Sequence, residues 1–133
     1  MNIFVSYASE DHADADEIAL ALAGFDHSVF LDRNALEAGG NYISRISAAI
    51  ADCDIMIFLI SPHSIRSRSY ALTELKLAQQ KWRHPKNRLL PVMLKETPID
   101  SIPAYLRSVT ILEPMGSVSA EVAYAVEDLA LAS

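Results

Sequence analysis

The segment Tyr70-Ala71-Leu72-Thr73-Glu74 sets an aromatic ring and a carboxylate four residues apart. On a helix, residues i and i+4 share a face, so the ring and the carboxylate point the same way. The apolar stripe Ala71, Leu75, Ala78 and Trp82 predicts that helix, with Tyr70 and Glu74 near its start and off its apolar side. Two readings fit these residues. An acid in the first turns of a helix is favoured by the dipole and needs no other role. A carboxylate beside an aromatic, at an edge where ligands bind, can also be a functional group.

Several other chemistries are excluded by what is missing. Ser6-Tyr7-Ala8-Ser9 follows the first strand where a dinucleotide fold would carry G-x-G-x-x-G, and neither G-x-x-x-x-G-K-[ST] nor G-x-S-x-G occurs. His12, His27, His63 and His84 are dispersed and lack paired cysteines, so no zinc site is expected. A phosphoacceptor receiver domain needs an Asp at the end of its third strand, where this chain has Ser61-Pro62.

The elements that would position Tyr70 and Glu74 alternate in type. Ile3-Phe4-Val5 is a short strand, and Ser9 is a good N-cap with Glu10 and Asp11 in the following turn. Ala15, Ile18, Leu22 and Phe25 recur at helical spacing up to Gly24. Residues 28–31 form a second strand, and Ile43, Ile46, Ile50 and Cys53 mark a second helix. Ile55-Met56-Ile57-Phe58-Leu59-Ile60 shows no polar alternation and predicts a central strand buried on both faces. Residues 89–94 are a fourth strand, with Pro91 suggesting an edge. Residues 108–112 are a weaker fifth, and Val118, Val122, Ala125 and Leu129 share one face of a last helix.

This alternation predicts an α/β fold of flavodoxin-like type: a five-stranded parallel sheet in the order 2-1-3-4-5, with helices on both faces. Ligands bind such sheets outside the carboxyl ends of the strands, beside strands 1 and 3. Here that edge is built from residues 7–11, 32–42 and 61–70.

Composition narrows the partners. The 133 residues suit one domain spanning 1–133, and 51% hydrophobic content supports a packed core. Seventeen acids against eleven bases argue against nucleic acid as a partner. No apolar run approaches the ~20 residues of a membrane helix, and no signal peptide is evident. Cys53, the sole cysteine, suits a reducing cytoplasm. Acids cluster at Glu10, Asp11, Asp14, Asp16 and Glu17, and bases at Lys76, Lys81, Arg83, Lys86 and Arg88. These are two solvated helix faces or complementary surfaces for self-association.

Three ordered motifs carry a family resemblance. Phe4-Val5-Ser6-Tyr7-Ala8-Ser9-Glu10-Asp11 resembles the strand and S-[YH]-x-x-x-D signature that opens a TIR (Toll/interleukin-1 receptor) domain. Val29-Phe30-Leu31-Asp32 with Leu36-Glu37-Ala38-Gly39 resembles its second strand and BB loop. Phe58-Leu59-Ile60-Ser61-Pro62 with Tyr70-x-x-x-Glu74-Leu75 is similar to the third strand and the aromatic-x-x-x-Glu-Leu motif of TIR domains that cleave NAD⁺, and Leu89-Leu90-Pro91-Val92 fits the fourth strand. Two departures stand out. Trp is usual where Tyr70 stands, and an aromatic is common at Asn41, a place Tyr42 fills if the loop is one residue longer.

The resemblance implies an NAD⁺ glycohydrolase or ADP-ribosyl cyclase with NAD⁺ as substrate and no bound cofactor. Glu74 is then the catalytic carboxylate. Tyr70 stacks near the nicotinamide, while Tyr7, Ala8, Glu37 and Gly39 frame the dinucleotide. It also implies assembly with other TIR domains, the site being completed between neighbours, in cell-death or antiviral defence signalling. The alternative within the family is a non-catalytic adaptor that acts only through TIR–TIR binding.

Overall fold

The computed structural model describes residues 1–31 and 41–132. Four parallel strands, β1 (Asn2–Ser6), β2 (Ser28–Phe30), β3 (Ile55–Ile60) and β4 (Leu89–Met93), pair in the order β2-β1-β3-β4. Among the described residues five α-helices accompany them: α1 (His12–Ala23), α2 (Tyr42–Asp52), α3 (Tyr70–Lys81), α4 (Ala104–Arg107) and α5 (Val118–Ala132). Among the described residues no helix is long and apolar enough to cross a membrane.

Strand alternation divides the core into two layers. Ile3, Val5, Ile55, Ile57 and Leu59 face α1 and α5, where Ile18, Leu22, Val122 and Val126 meet them. Phe4, Met56, Phe58 and Ile60 face α2 and α3, against Ile46, Ile50, Ala71 and Leu75. All six residues of β3 are buried, as expected of a strand covered on both sides. The order is that of the flavodoxin-like fold.

The fifth strand is a correction. Residues 108–112 contribute only one bridge, between Val92 and Leu112. The Leu112 N–H donates to the Pro91 carbonyl at 2.9 Å, and the Met93 N–H donates to the Leu112 carbonyl at 2.8 Å. The cause is local: α4 and its cap run through Ser108, and Pro114 follows Glu113, so little chain is left to pair.

Smaller corrections concern helix ends and faces. Ser9 is not an N-cap. It opens a 3-10 turn over Ser9–Asp11, and its hydroxyl bonds Glu10 instead. Gly24 does cap α1, but in the right-handed region; the left-handed residue is Asp26. Ile43 and Phe25 are exposed rather than buried, and α5 buries Val122, Ala123 and Val126, a face rotated from the expected one.

Candidate active site at the carboxyl edge of the sheet

Ser69 caps the start of α3: its hydroxyl accepts from the Leu72 N–H at 3.1 Å and donates to the Ser64 carbonyl at 2.6 Å. This cap fixes where the helix begins, and hence the rotation of Glu74 one turn later. Glu74 is only 5% exposed. It does not lie off the apolar side of α3, as its spacing first suggested, but is buried there with Ala71, Leu75 and Ala78.

A buried carboxylate requires donors. Ser6, the last residue of β1, donates its hydroxyl to Oε1 at 2.7 Å. Tyr42, the first residue of α2, donates its phenol to Oε2 at 2.7 Å. Three elements thus converge on one acid. The Tyr42 ring also lies 4.8 Å from the Tyr70 ring at 65°, an edge-to-face pair. Tyr70 itself is 42% exposed, so its side chain is partly open to solvent.

The other residues named from the sequence fall differently. Tyr7 is partly buried against the α1 and α5 layer, the sheet face away from α3. Ala8 is buried in the turn after β1, where its carbonyl accepts from the Asp11 N–H at 2.8 Å. Glu37 and Gly39 lie outside the described residues. Ser6 and Tyr42, which hold the carboxylate, were not singled out as site residues from the sequence.

A second buried acid lies along the same edge. Asp11 is 1% exposed and accepts from the Ser61 hydroxyl at 2.6 Å and from the Lys95 ammonium. The Ser61 hydroxyl in turn accepts from the N–H groups of His63 and Ser64. The cluster ties together the segments that follow β1, β3 and β4. The hydrogen bond to Asp11 raises the Lys95 ammonium above its usual pKa although the side chain remains in contact with water. On the rim, Arg66 binds Glu10 at 2.8 Å, and that hydrogen bond holds Glu10 at about 2. Burial pushes the Cys53 thiol up to about 11, so it is no nucleophile at neutral pH.

Asp11 gives a stability test. Asp11→Ala leaves the Ser61 hydroxyl and the Lys95 ammonium without this acceptor. Losing hydrogen bonds to a buried charged group costs about 1.5–3 kcal/mol. Thermal unfolding followed by circular dichroism is expected to show a midpoint lower by roughly 5–10 °C. An unchanged midpoint would mean that the cluster does not tie the strand ends together.

The family model of the TIR domain matches residues 3–127. The chain belongs to the TIR domain family. The TIR domain of the Toll-related receptor TRR-2 from Hydra magnipapillata superimposes with a TM-score of 0.70 at 18% identity, over 96% of this chain and 97% of that one. A metazoan TIR-STING receptor from C. gigas, solved with 2′,3′-cGAMP, gives 0.75 at 23% identity, over 93% of this chain but 38% of the receptor. A CMP N-glycosidase from Clostridium botulinum, BcmB, gives 0.52 at 16% identity over the whole of both chains. At these identities the likeness is one of fold. No curated protein sequence matches the chain.

Proposed function

We propose that the protein is an NAD⁺ glycohydrolase in which Glu74 stabilises the cationic transition state of nicotinamide–ribose cleavage. The observation that carries this reading is the Glu74 carboxylate, buried yet held by two hydroxyls at the ligand edge of the sheet, beside the exposed ring of Tyr70. The likeness in fold to an N-glycosidase is consistent with it.

The chemistry needs little machinery. Nicotinamide in NAD⁺ is a cationic pyridinium. When the bond to ribose C1′ breaks, the electron pair stays with the ring nitrogen and the base departs neutral, so no general acid is needed. The ribose is left as an oxocarbenium-like cation. A fixed carboxylate in a site of low dielectric stabilises that charge as it develops and can accept hydrogen bonds from the ribose hydroxyls. Tyr70 offers the nicotinamide a stacking surface. Water attacking C1′ and losing a proton gives ADP-ribose; attack by an adenine nitrogen gives a cyclic product.

Self-association completes the proposal. Acidic α1 lies on one face of the sheet and α3, which carries Lys76, on the other, so these two surfaces do not meet within one molecule. A contact between unlike patches is heterologous and propagates as an open chain. Lys81 must be left out of it. Its ammonium donates to the carbonyls of Ile50, Ala51 and Cys53 at 2.8, 2.9 and 2.6 Å and closes the end of α2. Lys76, Arg83 and Lys86 remain exposed.

The test incubates concentrated protein with NAD⁺ and follows nicotinamide release across dilution and salt. Release per molecule should rise with protein concentration and fall towards 1 M salt, where the Debye length is ~3 Å. Reversing Arg83 and Lys86 to Glu should mimic high salt. No release at any concentration would favour the adaptor reading, and release that stays flat across dilution would remove the shared site.

A further inference from the structure

Among the described residues, three other than glycine adopt the left-handed backbone region: Asp26, Arg68 and Asn87, with φ of 64°, 68° and 64°. Asp and Asn enter this region at least cost, because their short polar side chains bond locally; Arg has no such compensation. At Arg68 a glycine would suit the backbone better. The conformation is held from both sides. The Ser69 N–H donates to the Arg66 carbonyl at 3.0 Å and closes the turn, while the Ser69 hydroxyl caps α3 and bonds the Ser64 carbonyl. A strained residue kept at a ligand edge points to a use for its side chain.

Charge at this edge points the same way. NAD⁺ carries two negative charges on its pyrophosphate, whereas the chain has a net charge of −6 and the site presents the acid Glu74. The nearby bases are largely committed to acids. Glu10 lies 2.8 Å from Arg66 and 3.4 Å from the His63 ring, and Asp11 holds the Lys95 ammonium. Arg68 is exposed, and among the described residues no acid lies within ion-pair distance of it. Two residues of chain span at most about 7 Å, so the Arg68 backbone lies close beside that of Tyr70. In NAD⁺ one phosphate is carried by the same ribose whose C1′ bonds nicotinamide. A long side chain rooted beside the ring that stacks on nicotinamide can span one sugar to that phosphate.

We infer that Arg68 is the pyrophosphate-recognising residue of the site: its exposed guanidinium, at the start of α3 beside Tyr70, pairs with the phosphate on the nicotinamide ribose. The inference rests on the reading of Glu74 and Tyr70 as the groups that meet the ribose and the nicotinamide. A guanidinium presents a planar fork of N–H donors that matches two oxygens of one phosphate. That phosphate is unchanged as the glycosidic bond breaks, so the contact is made equally in the ground and transition states and acts on KM rather than kcat.

Arg68→Ala should raise KM for NAD⁺ about tenfold while kcat stays within about twofold. ADP-ribose keeps the pyrophosphate without nicotinamide, and its binding, measured by calorimetry, should weaken by the same factor. Inorganic pyrophosphate should compete with ADP-ribose for the wild-type protein and do so about tenfold less well for the variant. Arg68→Lys keeps the charge without the fork and should fall between the two. Arg66→Ala removes a guanidinium already committed to Glu10 and should change KM by less than about threefold. Arg68→Gly deletes the same side chain but relieves the left-handed backbone, so its thermal midpoint should hold or rise while its KM matches that of Arg68→Ala. A wild-type KM in Arg68→Ala, an equal loss in Arg66→Ala, pyrophosphate that does not distinguish the two proteins, or a lowered midpoint in Arg68→Gly overturns the inference and leaves Glu74 in its role. A wild-type protein that neither binds ADP-ribose nor releases nicotinamide overturns the underlying reading, and the role of Arg68 with it.

Discussion

Glu74→Gln should abolish most nicotinamide release while leaving the fold intact. Glutamine has the same shape, and its amide can both donate and accept. The Ser6 and Tyr42 hydroxyls can each rotate to meet it, so both of these groups keep a partner. Removing a buried charge costs little when hydrogen bonding is kept, and it is sometimes stabilising. The thermal midpoint should therefore stay within about 5 °C of wild type, or rise. What the amide lacks is the full negative charge opposite the developing cation. Removing one preorganised electrostatic partner of a transition state typically lowers kcat by about 10²–10³. Alanine is the wrong probe here, since it would leave both hydroxyls without the carboxylate and open a cavity in the α3 layer. A Gln variant that keeps most of its activity would remove Glu74 from the chemistry. One that fails to fold would make it a structural acid.

Much of the architecture was legible because two periodicities are strong. Ile55 to Ile60 has no polar residue, and only a strand buried on both faces accommodates that run. The stripes of α1 and α3 follow the helical repeat, and four short parallel strands between helices leave few topologies. The fifth strand was misread because Ser108-Val109-Thr110-Ile111-Leu112 has strand-like residues, while the preceding Pro103 starts a short helix that consumes part of the segment. Periodicity is silent on such competition at the ends of elements.

The site was half legible, and its missing half follows from the same periodicities. Strand side chains alternate, so Ser6 shares the face of Phe4, which packs in the layer of α2 and α3, while Tyr7 shares the face of Val5. That alternation alone assigns Ser6, not Tyr7, to the side of Glu74. Tyr42, Ile46 and Ile50 are spaced by four, so Tyr42 belongs to the buried stripe of α2 that Ile43 was expected to join. Glu74 lies three residues after Ala71 and four before Ala78, inside the stripe rather than beside it. The polar character of all three masked positions that spacing made plain. What spacing could not supply is the convergence of β1, α2 and α3 on a single carboxylate, which depends on how the layers stack.

Tyr70→Ala should lower kcat/KM for NAD⁺ by roughly tenfold to a hundredfold, while Tyr70→Trp should retain or raise it. The ring is 42% exposed and makes one edge-to-face contact, with Tyr42, so its removal disturbs packing little. The loss should fall on substrate. Stacking between an aromatic side chain and a planar base is worth about 1–3 kcal/mol, and each 1.4 kcal/mol is a factor of ten. Nicotinamide is a cation until its bond breaks, so the electron-rich ring face adds an attraction to the ground state. Part of the effect should therefore appear as a raised KM. The indole of Trp gives a larger face for the same contact, which is why substitution in that direction should not reduce turnover. Tyr70→Phe separates stacking from the phenol group and should behave as wild type. Steady-state nicotinamide release for the three variants, with thermal midpoints as a control, decides the matter. If the Ala variant turns over as wild type does, Tyr70 is a packing partner of Tyr42 and the nicotinamide sits elsewhere.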